Sequence, residues 1–287
     1  MADRLSLLSV HAHPDDEASK GAPTVARYHA EGVRTVLVCC TGGEEGDILN
    51  PAMDTPEVRA DIGRIRMAEL KASTDIIGYD ETVLLGYRDS GMPDSEANTN
   101  PASFAQAPLD EAVGKLVEVI RRERPQVLIT YGDDHAGYPH PDHIRVHEIS
   151  VLAFDSAGDP DRYPEAGPPH APAKLYYSVW PASRFRQIHA RFLELGLESP
   201  FDEKWLKRIE HDEKYTTTID IDGYQEVRGE ALRAHATQVD PNSPFWFGLP
   251  PEAVRDINAT ETFLLAQSRV GPTDVTEDDL FAGVRRD

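Results

Sequence analysis

Apolar residues arrive in short blocks through the first half of the chain, separated by amphipathic stretches. Residues 5–10 (Leu-Ser-Leu-Leu-Ser-Val) read as a buried strand, 22–30 as a helix and 33–39 as a second strand. A long helical pattern covers about 56–77. Pro56 suits its first turn and Gly78 stands where a C-cap would end it. Residues 82–85 make a short strand, 109–124 an amphipathic helix stopped by Pro125, and 126–131 another buried strand. Apolar strands alternating with helices predict right-handed βαβ units, hence an α/β fold on a mostly parallel sheet. Beyond Phe154 the pattern loosens. Residues 156–172 read as a loop rich in Pro, Gly and Asp, 174–180 as a strand, 185–195 and 205–210 as helices, 215–221 as a strand and 224–236 as a helix. The expectation is a single domain, with residues 1–155 as its core and 156–287 as a smaller α/β region shaping a pocket.

Composition narrows the function classes. The 287 residues carry 29 Lys and Arg against 50 Asp and Glu, a net charge of −21. That field repels phosphate backbones and anionic headgroups, so neither nucleic acid nor membrane is an expected partner. No apolar run approaches the ~20 residues that span a bilayer, and the first residues lack the pattern of a signal peptide. The only cysteines, Cys39 and Cys40, are adjacent, which rules out a disulfide framework and favours a reducing cytoplasm. Residues 89–107 hold too many Pro, Asn, Ser and Asp for an ordinary connection, and read as a site cover or a surface loop.

The chemistry concentrates after two strands. The first runs into His11-Ala-His13-Pro-Asp15-Asp16-Glu17, and the strand at 126–131 into a loop holding His135, Tyr138, His140, Asp142 and His143. In an open α/β sheet, ligands sit at the carboxyl ends of the strands. A polar loop whose carboxylates cap the next helix would explain the first run alone. Two such runs at one sheet edge point to a metal. His13, Asp16 and His143 could form a two-His, one-carboxylate site with positions open to water; this donor set suits Zn²⁺, one per chain, and leaves Fe²⁺ and Mn²⁺ open. Asp15, beside a ligand but not one itself, is then a candidate base for a water nucleophile. His140 could supply charge or a proton to an oxyanion and a leaving amine, and Asp142 could orient the His140 imidazole and raise its pKa. Tyr138 could donate to the oxyanion or simply pack.

The run His13-Pro-Asp-Asp-Glu17 with His140-Pro-Asp-His143 resembles the LmbE-type zinc N-deacetylases, the PIG-L family. Ser19-Lys-Gly21, Cys40-Thr-Gly-Gly-Glu-Glu-Gly46, residues 47–54, 231–241 and 245–250 extend the resemblance over nearly the whole chain. It implies a Rossmann-like fold, zinc on His13, Asp16 and His143, Asp15 as general base, and His140 stabilising the oxyanion and assisting the leaving amine. It also implies hydrolysis of an N-acyl group on a glucosamine-containing substrate. The flanking segments resemble the branch that cleaves S-conjugates of a cysteinyl-glucosaminyl-inositol thiol, a pseudo-disaccharide, in detoxification.

Three other readings stay open: the sister deacetylase of the acetylated amino sugar, an amidase of thiol conjugates in natural-product synthesis, and a silent paralogue that only binds. Retention of Asp15 and His140 argues against the last. Lys20 bears on the first, because a lysine after the motif marks the amidase branch and could meet the polar groups of a cysteinyl chain; a solvated helix-start lysine is the plain alternative. Arg66 and Asp89 match positions that bind sugar and inositol hydroxyls in the family, although Arg66 could equally pair with Glu69 along its helix. Glu44 and Glu45 lie in a glycine-rich turn at the same edge, without the spacing of a dinucleotide fingerprint. His11 either supports the metal site or packs, and neither a role for His235 nor an oligomeric state follows from the sequence.

Overall fold

The structure, a computed structural model, describes residues 4–133, 138–208 and 215–285. In chain order the elements are β1 Ser6–His11, α1 Asp16–Ser19, α2 Ala22–Ala30, β2 Arg34–Thr41, α3 Pro56–Ala60, α4 Ile62–Ile77, β3 Glu81–Tyr87, α5 Leu109–Glu123, β4 Val127–Thr130 and α6 Pro141–Ser156. They continue as β5 Lys174–Val179, α7 Ala182–Glu194, α8 Glu203–Arg208, β6 Thr217–Asp220, α9 Gln225–Ala234, α10 Pro244–Phe247 and β7 Thr260–Ser268. The strands form one sheet in the order β3-β2-β1-β4-β5-β7-β6. The first five are parallel, and β7 runs antiparallel between β5 and β6.

The all-apolar strands of the sequence follow from this arrangement, since a parallel sheet is covered on both faces. Leu8, Val10, Val36, Val38 and Leu128 face one layer, where they meet Leu116 and Ile120 of α5 and Val146 and Ile149 of α6. Leu7, Val127 and Ile129 face the other, against Val25 and Tyr28 of α2 and Leu232 of α9. Crossovers leave β1 toward β2 on one side and β4 lies on its other side. The point where the winding reverses, and where ligands settle in such sheets, is therefore the carboxyl edge between β1 and β4.

The expected elements recur with shifted ends. The 56–77 helix is broken at Asp61 into α3 and α4; Thr55 caps α3 through a bond from the Val58 N–H, and Gly78 ends α4 in the left-handed region, φ 91°. The helix expected at 205–210 is α8, two residues earlier in its start, and residues 209 and 210 lie outside the described residues. Besides the short helices α1 and α10, two longer elements were not anticipated. Helix α6 begins inside the second motif, with His140 as its N-cap and Pro141 in its first turn. Strand β7 joins the C-terminal region to the sheet of the core.

Candidate metal centre and active site

Leaving β1, the chain crosses the sheet edge in a strained turn. Asp15 sits at φ 116°, a left-handed conformation that costs a non-glycine residue about 1–3 kcal/mol. Neighbours hold it there. The Asp15 N–H donates to Glu17 Oε2 at 2.9 Å, and Arg66 Nη2 donates to the Pro14 carbonyl at 2.6 Å and to Asp15 Oδ2 at 3.1 Å. Arg66 also reaches the Gly43 carbonyl. A Cβ at Gly43 would lie 2.3 Å from its guanidinium, which explains the glycine. Glu17 in turn is fully buried. Its Oε1 accepts from Ser73 and from His235 Nε2 at 2.7 Å, so the end of α9 latches the turn from below. Burial works against charge on His235, but the Glu17 carboxylate outweighs it and raises the imidazole pKa.

On this turn His13 Nδ1 lies 3.4 Å from Asp16 Oδ2, and His143 Nε2, from the first turn of α6, lies 3.3 Å from the same oxygen. The three donors are buried and lie within 4.8 Å of one another. Donors at zinc bond lengths in a tetrahedron stand roughly 3.3–3.4 Å apart, so these side chains fit a divalent ion. Burial pushes His143 down to about 3 and His11 to about 4, which keeps both imidazoles neutral, the ligating form. The other ring nitrogen of His13 points away from this trio, 3.2 Å from Asp142 Oδ2 and 3.5 Å from Asp89 Oδ1. Burial disfavours a charged His13, yet hydrogen bonds to Asp142, Asp16 and Asp89 hold its pKa well above the usual value.

Of the residues expected to act on a substrate, Asp15 stands beside the trio with 31% of its side chain open to solvent. Desolvation by the surrounding wall, only partly offset by Arg66, raises its pKa above that of an ordinary aspartate, as a proton acceptor at neutral pH requires. His140 is buried, and its ring lies 4.5 Å from that of His13. Its Nδ1 accepts the Asp142 backbone N–H at 3.2 Å, so in the neutral ring the proton sits on Nε2, 3.9 Å from Asp89 Oδ1. Tyr138 is 52% exposed at the mouth, stacked on His140 with centroids 5.9 Å apart. His135 lies outside the described residues.

Several expectations need correction. Asp142 was expected to orient the His140 imidazole and raise its pKa. Its carboxylate instead lies against His13 and accepts from the Ser90 N–H and hydroxyl, and only its backbone touches the His140 ring. Burial and the neighbouring His13 give the His140 pKa a net downward shift, outweighing the Asp142 charge, which does act to raise it as expected. Lys20 is not free at the mouth: its ammonium binds Asp16 Oδ1 at 2.6 Å and Ser19 at 3.2 Å. Arg66 does not pair with Glu69, which accepts instead from the Thr237 N–H and hydroxyl.

Asp89 is buried and faces His13. Burial alone would raise its pKa, but His13 and the Gly91 N–H hold it well below the usual range. Glu44 and Glu45 brace it: Glu44 accepts the Asp89 N–H at 3.0 Å, and the Glu45 N–H reaches Asp89 Oδ2 at 3.3 Å. His11 packs against Tyr131, whose hydroxyl accepts the Ala12 N–H at 2.9 Å and whose ring stacks on His143 at 4.4 Å. Sequence reasoning passed over Tyr131, Ser90, Ser73 and the structural part of Glu17. Of these only Glu17, inside the motif, carried a local signal.

Comparison with known proteins agrees with this geometry. Residues 8–154 match the family described as PIG-L, GlcNAc-PI de-N-acetylase. The chain is 43% identical to the mycothiol S-conjugate amidase of Streptomyces coelicolor, covering 99% of both chains. It is 41% identical to the 1D-myo-inositol 2-acetamido-2-deoxy-alpha-D-glucopyranoside deacetylase of Geodermatophilus obscurus, covering 97% of each. Its fold resembles that of the N,N'-diacetylchitobiose deacetylase of Pyrococcus horikoshii, with a TM-score of 0.63 and 18% identity over 91% of this chain and 83% of the other. The motif turn, its trio of donors and the full-length similarity agree: this chain belongs to the PIG-L family.

Proposed function

We propose that the protein is a metal-dependent amidohydrolase that cleaves the amide of mycothiol S-conjugates, giving an S-substituted N-acetylcysteine and glucosaminyl-inositol. The observation that carries this reading is the buried trio His13, Asp16 and His143 beside Asp15, in a chain 43% identical along its length to a mycothiol S-conjugate amidase. The trio would hold the ion, and the mixed nitrogen and oxygen donors suit Zn²⁺. Bound there, a divalent ion supplies Lewis acidity that polarises a carbonyl and acidifies water.

The chain's own groups account for the proton movements. Asp15 accepts a proton from the attacking water, and Arg66 fixes where that carboxylate points. His140 presents Nε2–H, with which it steadies the developing oxyanion and meets the departing amine nitrogen. Tyr138 offers its hydroxyl from the mouth. Asp142 keeps the His13 ring oriented toward the trio. Water is added across one C–N bond: the acyl carbon gains the oxygen, and the glucosamine nitrogen leaves as a protonated amine. Asp89 and Arg66 are the candidates to meet sugar and inositol hydroxyls. Lys20 acts on substrate choice by setting the charge of Asp16 or by swinging off it to a cysteinyl chain. The buried, unpaired Cys39 and Cys40 suit a reducing cytoplasm.

The 41% identity to a deacetylase of the amino-sugar precursor favours one second reading, removal of acetate from N-acetylglucosaminyl-inositol by the same groups. Rates of the zinc-loaded protein on a bimane conjugate of mycothiol and on N-acetylglucosaminyl-inositol, measured side by side, separate the two. Preference for the conjugate supports the amidase, and preference for the acetyl sugar replaces it with the deacetylase. Hydrolysis of neither removes both.

A further inference from the structure

A cavity of about 780 Å³ lies under α9, away from the metal trio, with none of the trio in its walls. That volume is within the range of small-molecule sites. Its apolar side is aromatic, built by Trp180, Phe185, Phe192, Phe201, Phe245 and Trp246. Arg184 and Arg228 stand at its inner end, where they also border a smaller cavity of about 200 Å³. Arg228 is 8% exposed. It shares Glu261 with α2, since one Glu261 oxygen takes the guanidinium and the other takes the Thr24 N–H at 2.9 Å and hydroxyl at 2.6 Å. The Arg228 Nε is buried and has no partner. Arg184 donates to the neutral Asn258 amide oxygen at 2.8 Å and 3.2 Å and lies over the Trp180 ring, 5.6 Å from its centroid, and no carboxylate lies within ion-pair distance of it among the described residues. Burial and the neighbouring Arg228 push Arg184 down to about 9. The acids that border the cavity, Glu226, Glu230 and Glu252, are exposed at its rim. Arg233 and Arg255 share that rim, whereas beside the cavity wall Arg184 and Arg228 are two guanidiniums to the one carboxylate of Glu261.

We propose that this cavity is a binding site for small amphipathic carboxylates, the carboxylate seated on Arg184 and Arg228 and the apolar body among the aromatic rings. A planar guanidinium matches a carboxylate through paired N–H donors, and aromatic walls take an apolar body without directional demands. The site does not depend on which amide the metal centre cleaves. Arg228 precedes His235 by two helical turns, roughly 10 Å, so an occupant would sit on the helix whose end latches the Asp15 turn.

Of the three tryptophans of the chain, Trp180 and Trp246 line the cavity and Trp205 packs on its wall residue Phe185, so intrinsic fluorescence reports occupancy. The intact protein is titrated with 4-phenylbutyrate and with its neutral analogue 4-phenylbutyramide. The expected result is a saturable change with the acid and at least tenfold weaker binding of the amide. Arg184→Gln should weaken the acid at least tenfold and leave the amide unchanged, whereas His143→Ala should leave both unchanged. Ile188→Trp, which fills the apolar end, should abolish binding of both probes followed by calorimetry, and keeps the test decisive if the arginine variant does not fold. Equal affinity for acid and amide, binding of neither, or acid binding lost in the His143 variant and kept in the Arg184 variant would overturn the proposal. The last outcome would put the carboxylate on the metal centre instead.

Discussion

At the carboxyl edge of β1 and β4 stand the carboxylates of Asp15, Asp16, Glu17, Asp89 and Asp142, of which Asp16 is paired with Lys20 and Asp15 with Arg66 among the described residues. Under α9 the imbalance is reversed, with Arg228 on Glu261 and Arg184 without a carboxylate partner among the described residues. Both clusters are drawn out of water, where an unbalanced charge is costly. Each therefore specifies the sign of its missing partner: a cation in the first, an anion in the second. The two also differ in how they are held. The acidic cluster rests on short hydrogen bonds from strand ends and helix starts, so its donors are fixed before any ligand arrives. The basic cluster is bounded by aromatic rings and has room beside it.

The comparison can be broken at either end. The largest expected effect is from metal removal: dialysis against a strong chelator should abolish hydrolysis, and stoichiometric Zn²⁺ should restore it. Activity that survives chelation, with metal analysis confirming removal, would deprive the acidic cluster of its cation. Next, Asp15→Asn should reduce kcat by about 10³-fold, within the usual range for a general base, while metal content stays near wild type. Loss of metal in that variant would make Asp15 a ligand.

On the basic side, Glu261→Gln leaves the buried Arg228 guanidinium without its counter-charge and should cost roughly 3 kcal/mol of stability, read from the denaturant midpoint. A variant as stable as the parent would show that this charge is not in deficit. Smallest, Asp142→Asn should weaken metal affinity by roughly 10–100-fold, followed by competition with a chromophoric chelator. Unchanged affinity with a displaced pH profile of turnover would return Asp142 to the His140 role expected from the sequence.

The acidic cluster was legible because its members come in two short runs, each directly after an apolar strand. Position along the chain there stands for position in space. Its supports were not. Glu17 meets His235 across 218 residues, and Asp142 meets Ser90 across 52, pairings no local pattern announces. Strand β7 escaped for a related reason. Phe263 and Leu265 are buried in alternation, but Glu261 occupies the inward position before them, and a carboxylate there spoils the apolar rhythm. It is buried only because Arg228 and Thr24 take up both its oxygens. The α2, α5 and β1 to β4 segments carried their period openly, whereas the basic cluster draws single residues from α7, α9 and β7 and leaves no motif.

The place of β7 in the sheet also has a consequence for how the protein is made. The donors His13, Asp16 and His143 all come from the first half of the chain, in the turn and helix starts that follow the parallel strands β1 and β4. The strand that fills the gap between β5 and β6 comes after both of them, and His235, which latches the turn beneath Asp15, belongs to the same late stretch. A nascent chain can therefore gather its metal ligands while the turn that aims its base is still unsecured. The first 155 residues thus carry every proposed metal donor but lack one of the groups that hold the Asp15 turn.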